Sequence, residues 1–400
     1  MSDKLRILFL SRWFPYQPDN GSKLRIYHLL RGLGAYHDVT LLSFADQPDV
    51  RPDAPEIQAI CSEVQIVPWH EFNPNSARAW VGFLSFKPRF IFDTFSVEMA
   101  GKITQLVRER KYDLIIASQL SMAVYHPYFG NVPAIFEEVE LGLSFGGTQQ
   151  SSNLIKHLRS AVTRIKLRMY LSRLLSSFQA CSVVSEQEHR LLLRNFSGCK
   201  SSIEVIPNCV QVNEGERPQS NLAPNQLIFS GSFRYYANYE AMLWFVREVF
   251  PMVLRRVPDA HLIVTGDRAG LSFPPTPNVT LAGHVDDIKT LVASSWISLA
   301  PMLSGGGTRL KILEAMAVGT PVVATSKGAE GLNAVPGEHI LVADAPNAFA
   351  NQVIRLLESK DLRDKLSFNG KHFVEENYNW ELVFPRFLHL VENTVEQRIN

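Results

Sequence analysis

Short, almost wholly apolar runs recur along the whole chain, with helical patterns between them. RILFLS (Arg6–Ser11), VTLLSF (Val39–Phe44), YDLIIAS (Tyr112–Ser118), VPAIF (Val132–Phe136) and ACSVVS (Ala180–Ser185) occupy the first half. LIFS (Leu227–Ser230), AHLIVT (Ala260–Thr265), VTLA (Val279–Ala282), WISLA (Trp296–Ala300) and PVVAT (Pro321–Thr325) repeat the rhythm in the second. A strand with one wet face alternates apolar with polar residues; most of these runs do not, so both faces must be covered. Such strands separated by helices imply parallel sheets between helical layers. Four hundred residues exceed what one core usually organises, and the polar, turn-rich QVNEGERPQSNLAPN (211–225) reads as a linker. The expectation is an α/β chain of two doubly wound domains, with ligands beyond the carboxyl ends of the strands and the two domains facing a shared cleft.

The bulk numbers exclude several classes. At 46% hydrophobic and 20% charged the chain is neither fibrous nor disordered, and a formal net charge of +1 gives no bulk case for nucleic acid. Cys61, Cys181, Cys199 and Cys209 form no CxxC pair and have no metal-ligand spacing, as expected of buried thiols in a reducing compartment. No run approaches the roughly 18 apolar residues of a membrane span. MSDKLRILFLSRWFP lacks a small-residue cleavage site and reads as a first strand, so the expected location is cytoplasmic.

One stretch breaks the rules of helix initiation. SGGGTRLKILEA (304–315) places three glycines before Thr308 and then brings Arg309 and Lys311 into the first turn of a helix expected over Arg309–Val318. Helix N-termini favour acidic side chains, and a capping box would put Glu or Gln where Lys311 stands. An anion at that turn would make the cations favourable, since charge-assisted hydrogen bonds are worth about 1.5–3 kcal/mol each against a few tenths lost to the dipole. Gly305, Gly306 and Gly307 let backbone N–H groups approach such a ligand. Glu314, three residues after Lys311, shares its helix face. The loop is not GxxxxGK[ST], and the third glycine of a dinucleotide fingerprint would fall on Leu310.

PMLSGGGTRLKILEAMAVGTPVVATSKGAEGL resembles the signature of GT-B glycosyltransferases of the family 4, or group 1, type. SGSFRYYANYEAMLWFVREVFP is similar to the segment opening their second domain, with Arg234 and Asn238 in place; VTGD and LAGHVDDI resemble the next strand ends. The glycine loop before KLRIYHLLRGL resembles the first-domain entry, and NYNWELVFPRFLHLVENTV the C-terminal helix that crosses back. The resemblance implies a GT-B fold: an acceptor-side Rossmann-like domain over 1–210, a nucleotide-sugar domain over 226–375, and a returning segment over 376–400. It further implies that Glu314 holds ribose hydroxyls and that Gly306, Gly307 and Thr308 offer N–H groups to the diphosphate. Arg234 and Lys311 would stabilise the departing charge. Gly305, Arg309 and Asn238 belong to the same donor site, and Gly21 to the loop that approaches diphosphate or acceptor.

The implied activity is metal-independent, retaining hexosyl transfer from a nucleotide sugar to a carbohydrate or lipid-linked hydroxyl in polysaccharide or glycolipid assembly, without cofactor. A nucleotide-sugar epimerase and a non-catalytic binding relative are the alternatives. Two departures stand out. Gly306 occupies the place of the first glutamate of the family's E-x7-E. Glu137-Glu138-Val139-Glu140 follows VPAIF where relatives have a histidine turn. Glu137 is the catalytic candidate there, with an acidic first helical turn as the competing reading. His28 reads as packing, and His284 marks a region that meets the base through backbone atoms. The basic stretch Leu154–Leu175 is either a solvated helix face or a peripheral contact with the inner face of a membrane. Trp80–Phe95 is either acceptor groove or core.

Overall fold

The computed structural model describes residues 4–47, 49–141, 154–196, 198, 201–212, 222–306 and 309–397. It divides into two compact units, Met1–Pro207 with Phe384–Asn400, and Asn208–Val383. The strands of the first unit are β1 (Arg6–Ser11), β2 (Asp38–Ala45), β3 (Glu63–Pro68), β4 (Leu114–Ser118), β5 (Ala134–Glu137), β6 (Ala180–Val183) and β7 (Ser202–Val205). They pair in the order β3-β2-β1-β4-β5-β6-β7, every pair parallel. The order reverses between β1 and β4, where the connections leave in opposite directions and open a crevice.

The apolar runs are continuous because both faces of the sheet are dry. Along β1, Leu8 and Leu10 join the core that contains Leu42, Phe44, Ile115 and Phe136. Ile7 and Phe9, pointing to the other face, are equally buried. Glu63–Pro68 and Ser202–Val205 are strands that the sequence reading did not mark. They are the sheet's two edges, only half-buried, and Glu63, Gln65 and Glu204 interrupt their apolar character.

The second unit holds β8 (Ala223–Ser230), β9 (His261–Thr265), β10 (Val279–Gly283), β11 (Ser295–Ala300), β12 (Val322–Ala324) and β13 (Leu341–Val342), in the order β10-β9-β8-β11-β12-β13. All pairs are parallel, and the reversal lies between β8 and β11. Residues 223–225, read as linker, begin β8 instead, because Gln226 and its predecessors pair at the sheet's amino end. The rest of that stretch, 213–221, lies outside the described residues. The helix expected over Glu240–Arg255 starts earlier, at Tyr236, and is interrupted by a π turn at Phe245–Val249 before resuming as Phe250–Arg256. Pro251 has no N–H to offer the preceding turn, and the ladder widens ahead of it.

Three helices close the chain: Pro346–Glu358, Lys360–Asn377 and Trp380–Glu396. From Phe384 onward the last groups with the first unit. There the Phe384 ring lies against Gly32, where a Cβ would stand 2.3 Å from it, and Arg386 pairs with Glu204 at 2.9 Å. Among the described residues no helix is long and apolar enough to cross a membrane.

The helix Gly21–Tyr36 brings the start of the first-unit crevice to the sheet, and its approach is set at Gly34. A Cβ there would come within 2.2 Å of the Ile60 carbonyl oxygen, which is backbone and cannot swing aside. Gly34→Ala should therefore lower the denaturant midpoint, costing about 1–3 kcal/mol despite alanine's better helix propensity. An unchanged midpoint would show that the helix can slide.

Candidate functional site

In the second unit the loops after β8 and β11 diverge at the reversal point. The first, Gly231–Tyr235, is tied to the end of β9: Phe233 N donates to the Asp267 carbonyl at 2.8 Å, and Ser232 Oγ to the same oxygen at 3.1 Å. The second is the glycine loop, leading into the helix Leu310–Ala317. That helix starts one residue later than expected. Arg309 sits in the capping position, and its side chain does not cap the first N–H groups. The helix thus presents unclaimed donors at the carboxyl edge of the sheet.

Lys311 crosses between the two loops. Its Nζ donates to Asn238 Oδ1 at 2.9 Å and lies 4.0 Å from the centre of the Phe229 ring. A Cβ on Gly231 would come within 2.9 Å of that ammonium, so the glycine is what lets Lys311 reach the end of β8. Burial drives the Lys311 pKa down to about 7, the Arg309 cation adds to the fall, and Glu314 opposes it. Asn238, expected to touch ligand, is buried and otherwise engaged. Its Nδ2 donates to the Ser232 carbonyl at 2.8 Å while its Oδ1 holds Lys311. It thereby positions the lysine.

Arg309 carries a second buried charge. Its Nη1 donates to the Gly306 carbonyl at 3.1 Å, but Nε and Nη2 are buried with no partner among the described residues. Buried guanidinium donors are costly to leave unpaired, and an anion at the loop is the natural complement. Gly305 has φ +93, and a Cβ on it would collide with Tyr235 Oη at 2.0 Å. Gly306 N donates to that same hydroxyl at 3.2 Å. Tyr235, unmarked in the sequence reading, therefore covers an N–H expected to face ligand. Nothing in its local pattern separates it from Tyr236. Gly307 and Thr308 lie outside the described residues.

Glu314 faces solvent from the same helix, yet the protein around its carboxylate withdraws enough water to raise its pKa against the pull of Lys289 and Lys311. Arg234 stands largely in solvent, its Nε paired with Asp267. Asp267 is held low by the Ala269 N–H and by Arg234. Beside this pair a cavity of about 550 Å³ opens at the ends of β9 and β10, lined by Gly266, Asp267, Arg268, Leu271, Gly283 and His284 among others. The side chains of Lys311, Arg309, Glu314 and Arg234, together with that cavity, occupy the carboxyl edge of one sheet.

The first unit has its own crevice at the β1/β4 reversal. Gly21 opens the helix Gly21–Tyr36, capped by Asn20, whose side chain accepts from Lys23 N. Glu137, the catalytic candidate of the sequence, is built into the sheet. It is wholly buried at the end of β5, with Oε1 taking the Arg25 Nε at 2.6 Å and Oε2 taking the Ser118 hydroxyl at 2.6 Å. Both oxygens are spent on holding strands and helix together. Its neighbour Glu138 follows the strand end with φ +58, is also buried, and accepts from Gln119 Nε2 at 2.8 Å. Gln119 itself has φ 66, and its Nε2 also reaches Ser22 Oγ at 3.3 Å. Burial, reinforced by Glu137, raises the Glu138 pKa, with Arg25 and Gln119 opposing. Two non-glycine residues with positive φ at adjacent strand ends mark stored strain of the kind that gathers at functional sites. Neither angle can be read from sequence.

Residues 224–359 match the family model described as Glycosyl transferases group 1, and the chain carries that domain. An uncharacterized 44.6 kDa protein in the cps region of Klebsiella pneumoniae is 28% identical over 169 residues, 40% of this chain and 44% of that one. Phosphatidyl-myo-inositol mannosyltransferase of Mycobacterium tuberculosis is 28% identical over 158 residues, 36% of this chain and 42% of its own. The chain thus spans less than half the length of these curated relatives in the matched region. The Anabaena protein Alr3699/HepE, in complex with UDP and glucose, superposes with a TM-score of 0.65 at 16% identity, covering 97% of this chain and 100% of that one. The two parallel sheets with flanking helices are the GT-B fold.

Glu137→Ala would leave Arg25 buried without its carboxylate. The expected cost is about 3–5 kcal/mol in chemical denaturation. A variant as stable as the parent would return Glu137 to the list of residues available for chemistry.

Proposed function

On the premise that residues 224–359 form a glycosyl transferases group 1 domain, we propose that this chain moves a hexosyl residue from a nucleoside-diphosphate sugar to a hydroxyl acceptor. The observation that carries this reading is the Lys311–Arg309 pair: two cations crowded at a helix N-terminus, Lys311 held by Asn238 Oδ1 and Arg309 with buried donors that have no partner among the described residues. A diphosphate satisfies all of them at once.

In this reading the second unit takes the donor. Glu314 accepts from the ribose hydroxyls, the cavity at the ends of β9 and β10 receives the base, and Gly305, Gly306, Gly307 and Thr308 line the diphosphate. For Gly306 to donate, Tyr235 withdraws its hydroxyl. The bond between the anomeric carbon and the phosphate oxygen breaks, and Lys311, Arg309 and Arg234 stabilise the negative charge left on the diphosphate. The acceptor hydroxyl attacks the same face, its proton passing to the departing phosphate oxygen, so the anomer is retained. Protein cations supply the charge that a metal would, and the reading assigns no metal or cofactor.

The first unit takes the acceptor, with Gly21 and Glu138 at its crevice. UDP and glucose in the Anabaena complex support a nucleotide sugar as donor, and the phosphatidyl-myo-inositol mannosyltransferase supports a lipid-linked acceptor; a carbohydrate acceptor, and a cytoplasmic place of action at the inner face of a membrane, belong to the same reading.

Two measurements test this. Lys311→Met should cut turnover about 10²–10³-fold with UDP- or GDP-sugars while the protein still unfolds cooperatively; near-parental turnover would remove the lysine from the mechanism. Diphosphate binding should also raise the Lys311 pKa from about 7. At pH 8 the free lysine is mostly neutral, so binding should take up as much as about one proton, and this uptake should shrink below pH 6. Calorimetry in buffers of different ionisation enthalpy reads it, and equal uptake by parent and Lys311→Met would contradict the assignment.

A further inference from the structure

The first unit carries an apolar surface that the sugar-transfer reading leaves unused. Two short helices, Ala77–Val81 and Arg89–Thr94, form a hairpin whose tip bears Leu84 and Phe86, 91% and 86% exposed, with Trp80 61% exposed beside them. Exposed apolar groups of this size normally mark a docking surface. The tip is also rigidly held. Arg89 Nε donates to the Ala79 carbonyl at 2.8 Å and Nη2 to the Pro74 carbonyl at 2.7 Å, while its guanidinium covers the Phe83 ring at 3.9 Å. Lys166, on the helix Leu154–Leu175, donates to the carbonyls of Phe83 and Ser85 at 2.7 and 2.8 Å. The Phe83 and Ser85 carbonyls and the Arg89 guanidinium are thus engaged internally, and the side chains left outward at the tip are Leu84 and Phe86 with Lys87 beside them. Val162 and Met169, four and three residues from Lys166 and therefore on its side of the helix, are exposed as well.

Charge selects the occupant. Residues 77–94 contain Arg78, Lys87 and Arg89, and their one acid, Asp93, is wholly buried; residues 161–175 contain four basic residues and no acid. In a chain whose basic and acidic residues number 40 and 39, this is a local excess. A second copy of the chain docked face to face would bring these cations against one another. An anionic bilayer complements both features: Trp80, Leu84 and Phe86 enter the interfacial region while the basic residues meet lipid headgroups. We propose that the 77–94 hairpin and the adjoining face of Leu154–Leu175 dock this chain peripherally on an anionic membrane. The contact goes beyond sugar transfer and needs no turnover.

Vesicle sedimentation tests it with the full chain. The parent should partition onto phosphatidylcholine vesicles containing phosphatidylglycerol, at least tenfold more than onto phosphatidylcholine alone, with the difference falling as salt rises. Leu84→Ser with Phe86→Ser, both at exposed positions, should reduce partition at least tenfold at an unchanged unfolding midpoint, and Lys87→Glu should weaken only the anionic preference. No partition by the parent, or full partition by the double variant, overturns the proposal. So does a concentration-dependent dimer that Leu84→Ser dissolves, which would assign the surface to a second copy. Because the readout is binding to lipid, its failure leaves the donor-site reading intact, and a failure of turnover leaves this one.

Discussion

Parallel pairing is the constraint from which the rest of the structure follows. When every strand of a sheet runs the same way, each must be followed by a crossover that covers a face, and all the carboxyl ends collect along one edge. Each unit obeys this and reverses its strand order once, between β1 and β4 and between β8 and β11. The residues with chemical promise fall at those two places: Gly21, Gln119 and Glu138 in one unit, Gly231, Lys311 and Arg309 in the other. No long-range wiring is needed to explain their company.

The two edges manage charge differently. In the first unit, ions are neutralised inside: Arg25 with Glu137 and Lys23 with Asp46 at 3.0 Å, all almost fully buried. These pairs hold helix and strands in register at a desolvation cost that leaves them little net stabilising role, though breaking one is expensive. In the second unit the two cations at the glycine loop, Lys311 and Arg309, have no bonded carboxylate among the described residues. Among the described residues Lys311 meets an amide and an aromatic ring, Arg309 one carbonyl, and Glu314 stands off toward solvent. Unneutralised buried charge destabilises a fold, so its persistence at a ligand edge points to a partner supplied from outside.

Much of the fold was legible because burial on both faces leaves an imprint on composition. The apolar runs at β1, β2, β4 and β8 through β12 mark themselves, and the glycine loop with its misplaced cations marks the donor edge. The strands that escaped, β3, β7 and β13, are edges, where one neighbour suffices and polar residues are tolerated. The start of the helix at Leu310 escaped for a different reason: a cap is a matter of backbone angles, and Arg309 at φ −82, ψ 71 reads like any other arginine in sequence.

By itself the sequence determined the class of architecture, the restart of that architecture at midchain, and which loop gathers cations, since periodicity and local charge are one-dimensional properties. Only the tertiary structure decided which carboxylate is spent. Glu137 and Glu138 are neighbours of identical chemistry, yet one faces Arg25 and Ser118 inside the sheet and the other, on a left-handed backbone, faces Gln119. The same holds for Asn238, which serves Lys311, and for Tyr235, which covers the glycine loop. A side chain's partners come from residues far along the chain, and no local pattern encodes what those residues will be.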